Sequence, residues 1–162
     1  MRSFTIKDQK TFTTLLFTGT IFDSFLLCEA DFKTSQTLHI DGHICREYYD
    51  DINEIPEDEF CTWGHVKPIC FQVIKGRRLP VYFKLVLSLS AENQKNTVAA
   101  SGLSINAEDV EGMYLNIHYK DGTLFCTSGI SLTTFSMDRE LPGYWDKLVA
   151  KFFDQNGISY ES

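Results

Sequence analysis

The sequence has no long apolar segment and no paired-cysteine motif. No stretch approaches the roughly 18 apolar residues of a membrane-spanning helix, and the opening residues MRSFTIKDQK lack the apolar run of a secretory signal. The five cysteines are scattered without a CxxC pair, which favours reduced thiols over a disulfide framework. These absences predict a cytoplasmic protein that does not enter a membrane.

Positive charge is also scarce. The 15 Lys and Arg residues stand against 22 Asp and Glu residues, which gives a net charge of -7. Nucleic acids and anionic membranes attract an excess of positive charge, so this balance argues against a general binder of either. With 162 residues, 43% of them hydrophobic, the chain is long and apolar enough for a single domain spanning 1–162.

No local signature of a common enzyme class occurs. The phosphate-binding loops GxGxxG and GxxxxGK[ST], the zinc-protease motif HExxH and the hydrolase motif GxSxG are all missing. The sequence therefore assigns no catalytic residue and no cofactor.

Alternation of apolar and polar residues is the main signal for strands. The half-buried strands that it predicts are 24–33, 81–89, 113–119 and 131–137. Two Asp-Gly pairs, Asp41-Gly42 and Asp121-Gly122, are typical of two-residue type I′ turns. Strands joined by such turns are antiparallel, so the sequence predicts an antiparallel sheet.

Helical spacing of apolar residues indicates three helices. They are predicted at Lys7–Phe17, at 63–74 and at about 142–156. Pro68 lies inside the second pattern, so that helix either starts near Pro68 or kinks there. The polar stretch 91–109 predicts a connection with at most one helical turn. The fold class is therefore α+β: a single twisted antiparallel sheet of five to seven strands, with two or three helices packed on one face.

Charge is segregated along the middle of the chain. The acidic segment, residues 47–59, holds seven acids and no base, and we predict a long loop there. The span 60–91 holds no acid. Its bases, which form the predicted site for an anion or a partner, are Lys67, Lys75, Arg77, Arg78 and Lys84. Two alternatives are that the acidic segment folds back and neutralises these bases, or that the charges are simply solvated.

The segment around Asp41 offers weaker candidates for a metal site. On one continuous strand His39, Asp41, His43 and Cys45 would share a face, and all four are zinc-ligand types. An Asp41-Gly42 turn would instead send the two histidines to opposite faces. The turn has the better local support, so no metal site is predicted.

Three features resemble a family of short, uncharacterised bacterial proteins, a domain of unknown function from Firmicutes. They are the Ile-Asp-Gly sequence at Ile40–Gly42, the run Pro68–Gly76 and the tryptophan-bearing C-terminal helix. The resemblance extends from about Phe4 to Phe153. It implies a cytoplasmic, single-domain protein, and it carries no activity, cofactor or catalytic residue to transfer.

Three classes of function remain open. The first is a non-enzymatic binding or interaction module, which would bind a protein or a small anionic ligand, or pair with a second copy through a sheet edge. The second is a small enzyme assembled only in the fold, with Cys61, His65 and His118 as candidates. The third is weak nucleic-acid binding through 67–84, with Tyr82 stacking on bases. The missing catalytic motifs favour the first class.

Overall fold

The computed structural model describes residues 1–162 and contains one seven-stranded sheet. The strands are β1 (Ser3–Ile6), β2 (Leu26–Lys33), β3 (Thr37–Asp41), β4 (Tyr82–Ser88), β5 (Val110–Lys120), β6 (Thr123–Leu132) and β7 (Tyr160–Glu161). Their order across the sheet is β3-β2-β4-β5-β6-β1-β7, and every neighbouring pair is antiparallel. The predicted α+β class with an antiparallel sheet is confirmed.

Four helices accompany the sheet, rather than the two or three that the sequence predicts. They are α1 (Gln9–Phe17), α2 (Trp63–Ile74), α3 (Ala91–Ala100) and α4 (Glu140–Gln155). The additional helix is α3, which buries only Val98 and lacks the apolar stripe that marks an amphipathic helix in sequence. None of the four combines the length and the apolar character that crossing a membrane requires.

The strand register places alternate side chains on two faces of the sheet. On the covered face, Phe83 of β4 lies opposite Tyr119 of β5. Helix α1 packs there, because the Phe17 ring meets the Phe83 ring edge-on with centroids 5.7 Å apart. Helix α2 joins through the fully buried Trp63, and α4 through Phe153. The polar side chains between these inward positions lie on the opposite face.

The two Asp-Gly pairs have different structures. Asp121 and Gly122 have φ angles of 52° and 76°, which confirms the predicted type I′ turn between β5 and β6. The turn predicted at Asp41-Gly42 is wrong, because neither residue has a positive φ and the chain continues from β3 to a strand-like bridge at His43.

Gly42 serves close packing instead of a turn. A Cβ atom on Gly42 would lie 1.7 Å from the carbonyl oxygen of Leu27. The Gly42 N–H donates to the carbonyl of Cys28 at 2.9 Å. Cys28 is the extra residue of a β-bulge, because the pairing of β2 with β4 skips it between Leu27 and Glu29. Only a residue without a side chain fits against this bulge.

Two further predictions need correction. The strand predicted at 131–137 is wrong beyond Leu132, because β5 begins at Val110, opposite Leu132, and offers no partner further along. The chain from there to α4 is a loop. Helix α2 begins ahead of Pro68 and continues through it, so Pro68 does not mark the start of that helix.

Candidate functional site

The acidic segment and the chain after α2, which carries Lys75, Arg77 and Arg78, lie at opposite ends of the sheet. Thr62, just after the acidic segment, bridges to Leu26 at the start of β2. The N–H of Val81, just before β4, donates to the carbonyl of Lys33 at the end of β2. Strands of this length keep the two ends about 20 Å apart. Helix α2 carries the chain from the acidic end to the basic end.

The acids of the segment do not pair with the bases predicted as a site. No Lys or Arg forms an ion pair with any residue from 47 to 59. Glu59 contacts the His43 Nε2 atom at 3.3 Å, and Asp58 accepts a hydrogen bond from the Ala91 N–H, where it complements the start of α3. The structure therefore does not show the acidic segment folded over the five predicted bases.

Two of the five predicted bases lie away from the other three. Lys67 has a side chain only 13% exposed, and its Nζ atom lies 2.6 Å from both Asp23 Oδ1 and the Gly19 carbonyl. It joins α2 to the chain that follows α1. Lys84 lies on the opposite face of the sheet from Phe83, and its Nζ atom is 3.1 Å from Glu29 Oε1. Both side chains are engaged in structural contacts.

The other three bases form one exposed loop. The basic loop, residues 75–81, connects α2 to β4 and carries Lys75, Arg77 and Arg78. All three are exposed, and none forms an ion pair or a side-chain hydrogen bond. The same loop exposes Leu79 by 80%. Unpaired arginines beside an exposed leucine are suited to an amphipathic partner.

An apolar cleft of about 340 Å³ lies directly beside the basic loop. Its lining residues are Gln9, Lys10, Thr13, Ile74, Leu79, Pro80, Phe83 and Tyr119. The Phe83 and Tyr119 rings are stacked, with centroids 5.5 Å apart and planes at 18°. A volume of this size falls in the range of small-molecule sites.

A hydrogen bond from a side chain to the backbone helps to bring these distant residues together. Gln9, in the first turn of α1, donates from Nε2 to the carbonyl of Gly122 in the β5–β6 turn at 2.9 Å. This bond holds the start of α1 against the same sheet end where β4 begins. Ile74 is the last residue of α2, and Leu79 belongs to the basic loop; both line the cleft. All three unpaired bases of the loop lie between these two residues in the chain.

Sequence reasoning missed the apolar part of the cleft. Lys10, Phe83 and Tyr119 lie on three separate elements, and no short motif links them. The alternation of apolar and polar residues does place Phe83 and Tyr119 on the inward face, near the ends of two predicted strands. Their meeting depends on strand register, which local alternation does not specify.

Of the three candidates for catalysis, Cys61 and His65 line one pocket of about 190 Å³, whereas His118 lies apart from them. No hydrogen bond joins Cys61 to His65, and burial raises the pKa of the Cys61 thiol, which keeps it protonated and poorly nucleophilic. His118 lies on β5, stacked on Phe125 with centroids 4.9 Å apart. Burial and then Lys84 lower the pKa of His118. A second deeply placed thiol, Cys70, has its pKa raised to about 12 by burial.

The weak metal candidates also separate into different contacts. His39 Nδ1 lies 2.7 Å from Asp31 Oδ1, whereas His43 contacts Asp41 and Glu59. Cys45 is exposed. The structure thus places His39 with neighbours on β2 and not with His43 or Cys45.

Comparison with known proteins identifies a family but no relative of known activity. No curated protein and no solved structure was found to match this chain. A family model described as "Family of unknown function (DUF5721)" matches residues 15–161, which include the basic loop and the Phe83–Tyr119 floor of the cleft. The predicted membership of a family without a known function is confirmed: the chain belongs to DUF5721.

Proposed function

We propose that this protein is a non-enzymatic binding module whose cleft takes a small amphipathic anion. The observation that carries the proposal is the position of three unpaired bases, Lys75, Arg77 and Arg78, between Ile74 and Leu79, which both line the cleft. The apolar chain of the ligand lies in the cleft, and its carboxylate or phosphate rests on the basic loop.

The cleft floor supports binding of the apolar part. Tyr119 and Ile74 are partly exposed and line it, and the buried Phe83 ring stacks behind Tyr119 and holds it in place. Each methylene group buried against such a surface contributes about 0.8 kcal/mol. Affinity is therefore expected to rise with the length of the ligand's alkyl chain until the cleft is filled.

The basic loop supports binding of the anionic part. Arginine presents a planar fork of donors that can hold a phosphate or carboxylate through two hydrogen bonds. Arg77 and Arg78 are adjacent and exposed, and no acid competes for them. Lys10, on the cleft wall, adds a positive charge from α1.

The charge of the whole chain favours a small ligand over a polyanion. A net charge of -7 repels an extended nucleic acid, while a single anionic group needs only the local basic loop.

The five free cysteines support a location in a reducing cytoplasm, which the family resemblance also implies for a bacterial protein.

Calorimetric titration with octyl phosphate tests the proposal. We expect saturable one-to-one binding, at least about tenfold tighter than either inorganic phosphate or 1-octanol, because each of these lacks half of the required chemistry. Arg77→Gln combined with Arg78→Gln should weaken binding at least about tenfold. The matched control, Lys95→Gln with Arg139→Gln, removes the same charge from exposed positions elsewhere and should change little.

Two results would overturn the proposal. One is the absence of saturable octyl phosphate binding, and the other is equal loss of affinity in both double variants. An acidic peptide with one aromatic anchor serves as a second probe. Tighter binding of that peptide than of octyl phosphate would reassign the cleft to a protein partner, and the small-ligand assignment would be wrong.

A further inference from the structure

A second cluster of chemically competent side chains lies on the sheet face opposite the cleft. Glu29 and Asp31 project from β2, and His39 projects from β3 directly opposite Asp31. One ligand atom from each of these three side chains lies within 4.8 Å of the other two. None of the three belongs to the cleft or the basic loop, so the cluster is independent of the proposed function.

We propose that Glu29, Asp31 and His39 form a binding site for a divalent transition-metal ion of the zinc class. Imidazole nitrogen and carboxylate oxygen bind zinc at about 2.0–2.2 Å. In the tetrahedral geometry that zinc prefers, two such ligand atoms are therefore about 3.4 Å apart. Side-chain rotations bring the three ligand atoms, now within 4.8 Å of one another, to that spacing, and the His39 Nδ1 atom exchanges its contact with Asp31 for the ion.

The strand register holds the three ligands in place. Glu29 and Asp31 are two residues apart on one strand, so they project from the same face, and His39 is locked opposite by the β2–β3 pairing. Ligands carried on paired strands are positioned more accurately than ligands on loops. All three side chains are partly exposed, which leaves coordination positions for water and an open route for the ion.

Local charge also favours a cation at this position. Asp41 lies opposite Glu29, so three carboxylates face one another across β2 and β3. The ammonium of Lys84, 3.1 Å from Glu29 Oε1, is the one lysine or arginine group paired with them. Lys84 therefore competes with an incoming metal ion for Glu29, and its removal should strengthen metal binding.

The ligand set distinguishes between metal ions. Imidazole suits zinc, nickel and copper, whereas magnesium and calcium prefer oxygen ligands alone. We expect Zn²⁺ to bind and Mg²⁺ at equal concentration not to compete.

Titration of the full chain with Zn²⁺ tests the site. The chain is stripped with a chelator and carries Cys45→Ser, because the exposed Cys45 thiol is itself a zinc ligand. We expect one ion per chain. Removing the imidazole with His39→Ala should weaken binding at least about tenfold, since changes even to groups behind the ligands cost that much.

Two further variants complete the test. Lys84→Gln should tighten binding about threefold to fivefold at low ionic strength, because a positive charge close to the ion is gone. His65→Ala removes an exposed histidine elsewhere and should have no effect. Unchanged affinity in His39→Ala, or weaker binding in Lys84→Gln, would overturn the proposal. Circular dichroism of each variant confirms that the fold is retained, and octyl phosphate binding should be unaffected throughout.

Discussion

The two ends of the sheet carry opposite charge and use that charge differently. At the acidic end, Asp58 and Glu59 are engaged with the Ala91 N–H and with His43. At the basic end, Arg77 and Arg78 have no partner and adjoin an apolar cleft. Two acids of the acidic end therefore contact the rest of the fold, while the two arginines of the basic end are available to a ligand.

This difference shows that neighbours in sequence need not neutralise each other. The acidic segment and the basic loop are separated by α2, whose 12 residues span about 18 Å. A rigid helix between two runs of opposite charge keeps them apart more reliably than a flexible linker would. Exposed ion pairs contribute too little to bend such an element.

The largest expected effect is a difference in stability between glycine substitutions at the two ends of the sheet. Gly42→Ala at the acidic end should destabilise the protein by more than about 3 kcal/mol, because the new Cβ would collide with the Leu27 carbonyl. Gly122→Ala at the basic end should cost about 1–2 kcal/mol, because its positive φ is strained for alanine but the space is open. Urea unfolding measures both. Equal losses would contradict the close approach at Gly42.

The next largest effect is a difference in stability between replacing a paired lysine, Lys67, and replacing an unpaired one, Lys75. Lys67→Met should destabilise the protein by about 2 kcal/mol, because it leaves Asp23 without its partner in a half-buried place. The value is below that of a fully buried pair, since water still reaches Asp23. Lys75→Met should stay within about 0.5 kcal/mol of the parent. A comparable loss in both variants, in the same unfolding assay, would show that Lys75 is not free.

A smaller effect separates stability from binding at the cleft. Leu79→Ser should leave unfolding unchanged within about 0.5 kcal/mol, because Leu79 is 80% exposed. It should weaken octyl phosphate binding about tenfold, because the side chain lines the cleft and covers the ligand. Val81→Ser, at an exposed position of the same loop that does not line the cleft, is the matched control. Equal weakening by both would place the ligand outside the cleft.

The smallest effect is the pH dependence of stability that arises from His43 at the acidic end. The contact with Asp41, and then Glu59, raises the pKa of His43. Its contribution to stability is therefore fully present below the ordinary histidine pKa of about 6.5 and is lost as pH rises through the higher folded value. His118 behaves in the opposite sense, because burial lowers its pKa. A histidine NMR titration should show His43 deprotonating at higher pH than His118, and the reverse order would contradict the contacts.

The sheet and most helices follow from local patterns, but their exceptions need tertiary contacts. Asp121-Gly122 and Asp41-Gly42 are identical dipeptides, and only the second lies against a bulge at Cys28. No local signal distinguishes them. Helix α3 was missed for a different reason, since it packs through Val98 alone and carries no periodic apolar face.

The sequence predicts the basic part of the candidate site but not its apolar part. Lys75, Arg77 and Arg78 follow from the charge pattern, whereas Lys67 and Lys84 belong to that pattern but make structural contacts elsewhere. The base on α2 and the base on β4 each find an acid on a neighbouring element, whereas the three bases of the connecting loop have no such partner. The apolar half of the site comes from register and helix packing, which join residues more than a hundred positions apart.

Mapping octyl phosphate by amide chemical shifts in a two-dimensional NMR titration tests the central claim most directly. We predict that the largest shifts fall on Lys10, on Ile74 to Leu79, and on Phe83 and Tyr119, with residues 47–59 unchanged. Largest shifts in the acidic segment, or no saturable shifts at the cleft, would contradict the account.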